Sequence, residues 1–286
     1  MAVYERGYRR YRGALTAGWS RFLVLPKYAM KDVFRSRLLV GFYALCFVAP
    51  LFFLSIVYIR HNAPLLETLQ LEVSDILTID ASFFDFLLEV QGRFAFFLAL
   101  FVGPGLVSRD LYNNGLPLYL CRPISRVDYI LGKMTVLVVL LSSITWIPGL
   151  ILFVLQSNLA GWSWAVENWR IGVGVFVGSM LWVALLGTTA LALSAWLRWR
   201  VVAAFLMLMI FLSGTVVGNL SSFLFQNDWG HLANPGRLMD IVLAGLFGTS
   251  APAGPPLWAA FFALTVLAAV FWSLLHRRVR AYEVVS

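Results

Sequence analysis

IGVGVFVGSMLWVALLGTTALALSAWLRWRVVAAFLMLMIFLSGTVVGNL, residues 171 to 220, decides the fold of this chain, because its only charged side chains are Arg198 and Arg200. A helix needs about 20 consecutive apolar residues to cross a hydrocarbon core roughly 30 Å thick. Residues 171–197 and 201–220 each supply such a run, and Arg198-Trp199-Arg200 between them forms a basic corner. The pattern continues outward on both sides. Leu38 to Ile59, Met134 to Gln156 and Leu257 to Leu275 are equally free of charge, and a shorter run, Phe94 to Ser108, extends back to about Phe83 with Glu89 and Arg93 at its outer mouth. The expected fold is an all-α membrane protein of about six transmembrane helices, at 38–59, 83–108, 134–156, 171–197, 201–220 and 257–275. Residues 1–37 precede this bundle as a basic segment and 276–286 follow it as a tail. Ile241 to Gly248 is too short to span and runs into Pro252, Pro255 and Pro256, so it is expected to be re-entrant or surface-lying.

Composition agrees. Hydrophobic residues make up 60% of the 286 and charged ones 13%, with mean hydropathy +0.82, which leaves too little polar surface to cover a globule in water. The two cysteines, Cys46 and Cys121, share no motif spacing and read as small apolar fillers. The first residues lack a short apolar core followed by a small-residue cleavage site, so a removable signal peptide is not expected.

Orientation follows from the distribution of Lys and Arg. Of the 22, only Arg60, Arg93, Arg170 and Arg237 fall on one side of the expected bundle; the rest lie in 1–37, 108–133, 198–200 and 277–280. Both termini are therefore expected in the cytoplasm. The net charge of +8 is explained by this topology and calls for no nucleic acid.

Two amphipathic stretches flank the first span. Trp19, Phe22, Leu23, Met30, Val33 and Phe34 recur at helical spacing, with Arg21, Lys27, Lys31 and Arg35 on the other face: a basic interfacial helix, broken at Pro26, that is either a mechanical element or a simple anchor. Beyond span one, Leu65, Leu66, Leu69, Val73, Ile76 and Leu77 form a stripe backed by Glu67, Glu72 and Asp75. A second stripe, Phe83, Phe84, Leu87 and Leu88, follows. One or two amphipathic helices on the outer leaflet or capping the bundle are expected, with the acidic residues on a solvated face.

The chemistry that is missing narrows the class. Ionisable groups inside spans mark ion-coupled carriers, and the six uncharged runs contain none. G-x-x-x-x-G-K-[ST] and H-E-x-x-H are absent, so the chain has neither a phosphate-cradling loop nor a zinc-protease helix. His61, His231 and His276 are scattered; His231 with Asp228 is at most half of a metal site. No nucleophile with a base can be assembled from the spacings. No catalytic residue and no metal ligand is assigned.

The loop between spans two and three is the most specific part of the chain: SRDLYNNGLPLYLCRPISRVDYILGK, residues 108–133. Gly115 tolerates positive φ. Pro123 ends the turn before it. Ser125 is a candidate N-cap for the next helix, with Asp128 at its third position. These features give a compact helix-turn unit held near the membrane by Arg122, Arg126 and Lys133.

In this loop the chain resembles the ABC-2 family, the membrane-spanning permease subunits of bacterial ATP-binding cassette transporters. The matching features are a polar run ending in glycine (Asp110 to Gly115), a short apolar turn (Leu116 to Cys121), a Pro-Ile-Ser-Arg turn (Pro123 to Arg126), and Gly132-Lys133 opening span three. The basic run at 31–37 and His276 to Arg280 also match the family's usual ends. Asn113-Asn114-Gly115-Leu116 departs from the family's Glu-x-Gly-Thr, and Pro117 interrupts the following helix.

The resemblance implies a coupling helix in which Arg109, Asp110, Asn113, Asn114, Gly115, Leu116, Arg122, Pro123, Ser125, Arg126 and Lys133 meet a separate cytosolic ATPase that holds ATP and magnesium. It further implies a second permease copy or paralogue, a bacterial inner-membrane location and, as in many relatives, export. It would put spans two and five beside the path, making Ser213, Thr215 and Asn219 path-lining or helix-packing residues, along with the close-approach pairs Gly174/Gly178 and Gly214/Gly218. The rival reading is a membrane anchor or scaffold in a larger complex, in which the loop only sets topology.

Overall fold

The structure is a computed structural model that describes residues 24–62, 78–113, 125–226 and 228–278. Among these every regular element is a helix, and six helices are long and apolar enough to cross a membrane. The chain is thus an all-α membrane protein. Helix α1 (Val24–Arg35) precedes span one, Arg37–Arg60, made of α2 (Arg37–Leu45) and α3 (Val48–Arg60). Span two, Ala81–Tyr112, is α4 (Ala81–Val102) with α5 (Pro104–Tyr112), and span three, Arg126–Ala160, is α6 (Arg126–Ile144) with α7 (Trp146–Ala160). After the short α8 (Trp162–Glu167) come span four, α9 (Trp169–Trp196), and span five, α10 (Arg200–Phe225). A 3-10 turn (Asp228–Ala233) and α11 (Pro235–Phe247) lead to span six, α12 (Leu257–Arg278).

Each of the first three spans bends at a proline, for one reason: proline has no N–H to give the carbonyl four residues back. Pro50 leaves the Cys46 carbonyl without its helical partner, and Gln91 Nε2 of span two donates to it at 3.2 Å. Pro104 begins α5 just after Gly103, and Pro148 follows the break at Thr145, whose hydroxyl donates to the Leu141 carbonyl at 2.8 Å. Spans four, five and six have no internal proline and run unbroken for 28, 26 and 22 residues.

Span four is the centre, packed against spans two, three, five and six and against α11. In its most apolar window 61% of residues are buried, against 22% in spans one, five and six, so the latter form the outer wall of the chain. Phe205, Val216, Phe223 and Phe225 stand exposed there, an arrangement that water would penalise and hydrocarbon does not. Exposed tryptophans mark both ends: Trp162, Trp169 and Trp258 at one, Trp196 and Trp199 at the other. These are the belts expected where amphipathic rings meet headgroups.

Pro26 lies within α1 near the start of its described residues, Val24–Arg35. Two expectations change. Phe83, Phe84, Leu87 and Leu88 are not a separate amphipathic helix; they are the buried opening turns of span two, capped by Asp80, which accepts from the Phe83 N–H at 3.1 Å. The segment expected near Ile241 to Gly248 starts earlier, at Pro235, and does not lie on the surface. Leu238, Ile241, Val242, Leu243 and Phe247 are buried against spans two, four, five and six. Its limits follow local rules: Asn234 caps it by accepting from the Arg237 N–H, Pro235 takes the first position, and Gly248 ends it at φ 75°. The stripe at Leu65 to Leu77 lies outside the described residues.

Candidate functional site

Span two carries charge at both ends. At the basic end of the bundle, where spans two and three approach the loop at 113–125, Ser125 caps α6 as its spacing predicts. Its hydroxyl accepts from the Asp128 N–H at 3.1 Å, and Asp128 Oδ2 accepts from the Ser125 N–H at 3.0 Å, a reciprocal capping box. One turn further in, Lys133 Nζ lies 2.9 Å from Asp110 Oδ2. The Tyr129 hydroxyl donates to that same oxygen at 2.7 Å, and the ammonium sits 5.6 Å from the Tyr129 ring centre. Asp110, from α5, is thus held by two groups of α6. The sequence placed Lys133 at the membrane surface; the structure buries it, with 9% of its side chain exposed, because Asp110 offers a partner there.

The Asp110 segment is fixed from behind by span four. The Ser194 hydroxyl donates to the Pro104 carbonyl at 2.7 Å and accepts from the N–H groups of Val107 and Ser108 at 3.0 and 2.8 Å. The bend comes so close to span four that a Cβ on Gly103 would overlap that of Ala190. Helix α1 leans on α6 through Leu25, Pro26 and Ala29, with Met30 and Val33 partly buried, and exposes Lys27, Lys31 and Arg35. Arg109, Asn113 and Arg126 are exposed. Asn114, Gly115, Leu116, Arg122 and Pro123 lie outside the described residues, as do Trp19, Phe22 and Leu23.

The two glycine pairs face two neighbouring parts of one insert, residues 228–247. Gly174 meets Phe247 and Leu246, and Gly178 meets Leu243 and Met239, so span four is notched for α11. A Cβ on Gly214 would run into the Ala233 carbonyl, and Gly218 lies against His231 and Asn234, so span five is notched for the 3-10 turn. Both small-residue faces are therefore used within the chain. Ser213 and Thr215 donate to carbonyls of their own helix, Ile210 and Phe211, and Asn219 is exposed. His231 is buried, and among the described residues no group of three or more His, Cys, Asp or Glu is placed to hold a metal with it.

At the acidic end, spans two, three, four and five and α11 line a half-open cavity of about 260 Å³. Its walls include Phe96, Phe97, Trp182, Leu208 and Phe211, and its polar lining includes Glu89, Arg93, Ser179, Thr215 and Asp240. Glu89 pairs with Arg93 on its own helix, while Trp182 Nε1 donates to the Gly92 carbonyl at 3.0 Å and ties the wall to span two. Asp85 accepts from the Thr249 hydroxyl at 2.8 Å. The charges around Asp240 are Glu89 and Asp85 of like sign and Arg237 and Arg93 of opposite sign. Sequence reasoning missed Asp240 and Ser179: neither sits in a motif, and only the folding of α11 back into the bundle brings Asp240 to span two.

The chain matches no protein-family model and no curated protein.

Proposed function

We propose that this chain is the membrane-spanning subunit of an ATP-binding cassette transporter of the ABC-2 kind. It would lie in the bacterial cytoplasmic membrane with its basic end and both termini inside. Two copies, or this chain and a paralogue, would form the path, and separate cytosolic ATPase subunits holding ATP and magnesium would drive it, for export. The observation that carries the reading is the joint at the basic end. Asp110, Tyr129 and Lys133 tie the ends of spans two and three together directly behind the loop that resembles a coupling helix. A push on that loop reaches both spans at once, and Ser194 passes it to span four. The middles of the spans carry no charge on which an ion gradient could act, and the chain has no phosphate-binding loop of its own, so its energy would come from a partner. In this reading α1 lies on the inner leaflet with its lysines toward anionic headgroups.

The test is to express the full chain with a tag in its native host, purify it from the membrane, and look for a nucleotide-hydrolysing subunit in the eluate. Co-purification is expected. Gly115→Val and Arg126→Glu are expected to lower both association and ATP turnover while membrane insertion is unchanged. A functional assembly without any nucleotide-hydrolysing companion would overturn the proposal and leave the scaffold reading.

A further inference from the structure

The cavity at the acidic end is more than a packing defect, because it is short of both a counter-charge and a hydrogen bond. Asp240 lines it and makes no hydrogen bond or ion pair among the described residues. The charges nearest to it leave one carboxylate over: Asp85, Glu89 and Asp240 against Arg93 and Arg237. Arg93 is engaged by Glu89, and Arg237 Nε donates to the Ala253 carbonyl at 3.1 Å. On the span-four wall Ser179, 3% exposed, has a hydroxyl with no hydrogen-bond partner. A buried hydroxyl and a partly buried carboxylate left unpaired are both costly in such surroundings.

The rest of the wall is aromatic. Ring centres of Phe96 and Phe211 lie 4.8 Å apart and those of Trp182 and Phe211 5.9 Å apart. Ring faces are electronegative and attract cations within about 6 Å. An anion would meet both the surplus carboxylate and these faces, and a neutral apolar molecule would leave Asp240 and Ser179 unpaired. A bare metal ion lacks ligands, since no metal-binding group of acidic, His or Cys side chains is present among the described residues. The volume, about 260 Å³, suits a molecule smaller than the usual drug-sized ligand.

We propose that this cavity binds an organic monocation bearing an aromatic ring, with Asp240 as its counter-charge and the aromatic wall around its apolar part. The assignment rests on the permease reading only for the ligand's role as cargo; binding itself needs no ATPase.

The experiment is isothermal titration calorimetry of benzyltrimethylammonium into the full chain in lipid nanodiscs, without ATP or partner. Benzenesulfonate serves as the ring of opposite charge. Saturable binding of the cation and none of the sulfonate are expected. Asp240→Asn is expected to raise Kd by about tenfold or more, Asp240→Glu to restore most of the affinity, and Phe211→Leu to weaken binding severalfold. Equal binding of the sulfonate, an unchanged Kd in Asp240→Asn, or no saturable binding by the wild-type chain would overturn the proposal. Each of these results is independent of whether an ATPase docks at the other end.

Discussion

About 30 Å of helix separates Glu89 from Asp110 on span two, close to the thickness of a hydrocarbon core, and the charged clusters around these two residues are built on opposite plans. At the basic end one carboxylate receives an ammonium and a phenol from the neighbouring span, and all three are sequestered. At the acidic end the ion pair lies within one helix, more exposed, and a further carboxylate on α11 is left over beside a cavity. Residue types are nearly the same in the two places. What differs is whether the charges close on one another across helices: at the basic end they do, and at the acidic end one carboxylate stays beside an open space.

Breaking the joint tests the contrast most severely. Lys133→Met leaves Asp110 buried with only Tyr129, and removing one partner of a buried pair costs about 3–5 kcal/mol. Thermal unfolding in detergent should show a large drop. The double change Asp110→Leu with Lys133→Met should recover most of it, since an apolar pair of similar volume is tolerated there, and under the proposed function coupling to the ATPase should stay lost. Stability of the single variant equal to wild type would mean that the pair does not hold the two spans.

The next effect sharpens the comparison by removing the brace behind the joint. Ser194→Ala strips the acceptor from the N–H groups of Val107 and Ser108. Each orphaned buried donor costs about 1–3 kcal/mol, while the Pro104 carbonyl, which also loses Ser194, keeps the Ser108 hydroxyl as its donor. Hydrogen exchange of residues 104–112 should accelerate, with span four unaffected elsewhere. A smaller loss, about 1 kcal/mol, is expected from Ser125→Ala, which deletes half of the capping box and should fray only the first turn of α6 in the same measurement.

Much of this arrangement was legible in the residues. The spans declared themselves by length and absence of charge, and Ser125 with Asp128 announced a cap because capping is a local matter of three residues. The Asp110 to Lys133 contact joins residues on either side of a loop, and spacing alone left Lys133 free to be a surface anchor. Helix α11 was harder still. Its sequence, PGRLMDIVLAGLF, breaks its apolar pattern with Arg237 and Asp240, so a hydropathy reading begins it at Ile241 and loses the half that faces the cavity. The glycine pairs were visible, but whether they receive a second copy or the chain's own insert depends on where residues 228–247 return, a long-range matter that no window of sequence contains.

Glu89→Gln gives the smallest expected effect and tests the acidic half of the comparison. The Glu89 to Arg93 pair is spaced four residues apart on one helix, with 39% and 65% of the two side chains exposed. Such pairs contribute about 0.3–0.5 kcal/mol, because the surroundings compete for both charges. The melting temperature should therefore hardly move. Removing Glu89 also releases Arg93, which lines the same cavity as Asp240, so the surplus negative charge there disappears and the affinity for benzyltrimethylammonium should fall with the fold intact. A stability loss as large as that of Lys133→Met would show the opposite: that the acidic cluster is a second closed joint, with the cavity beside it only a gap between its parts.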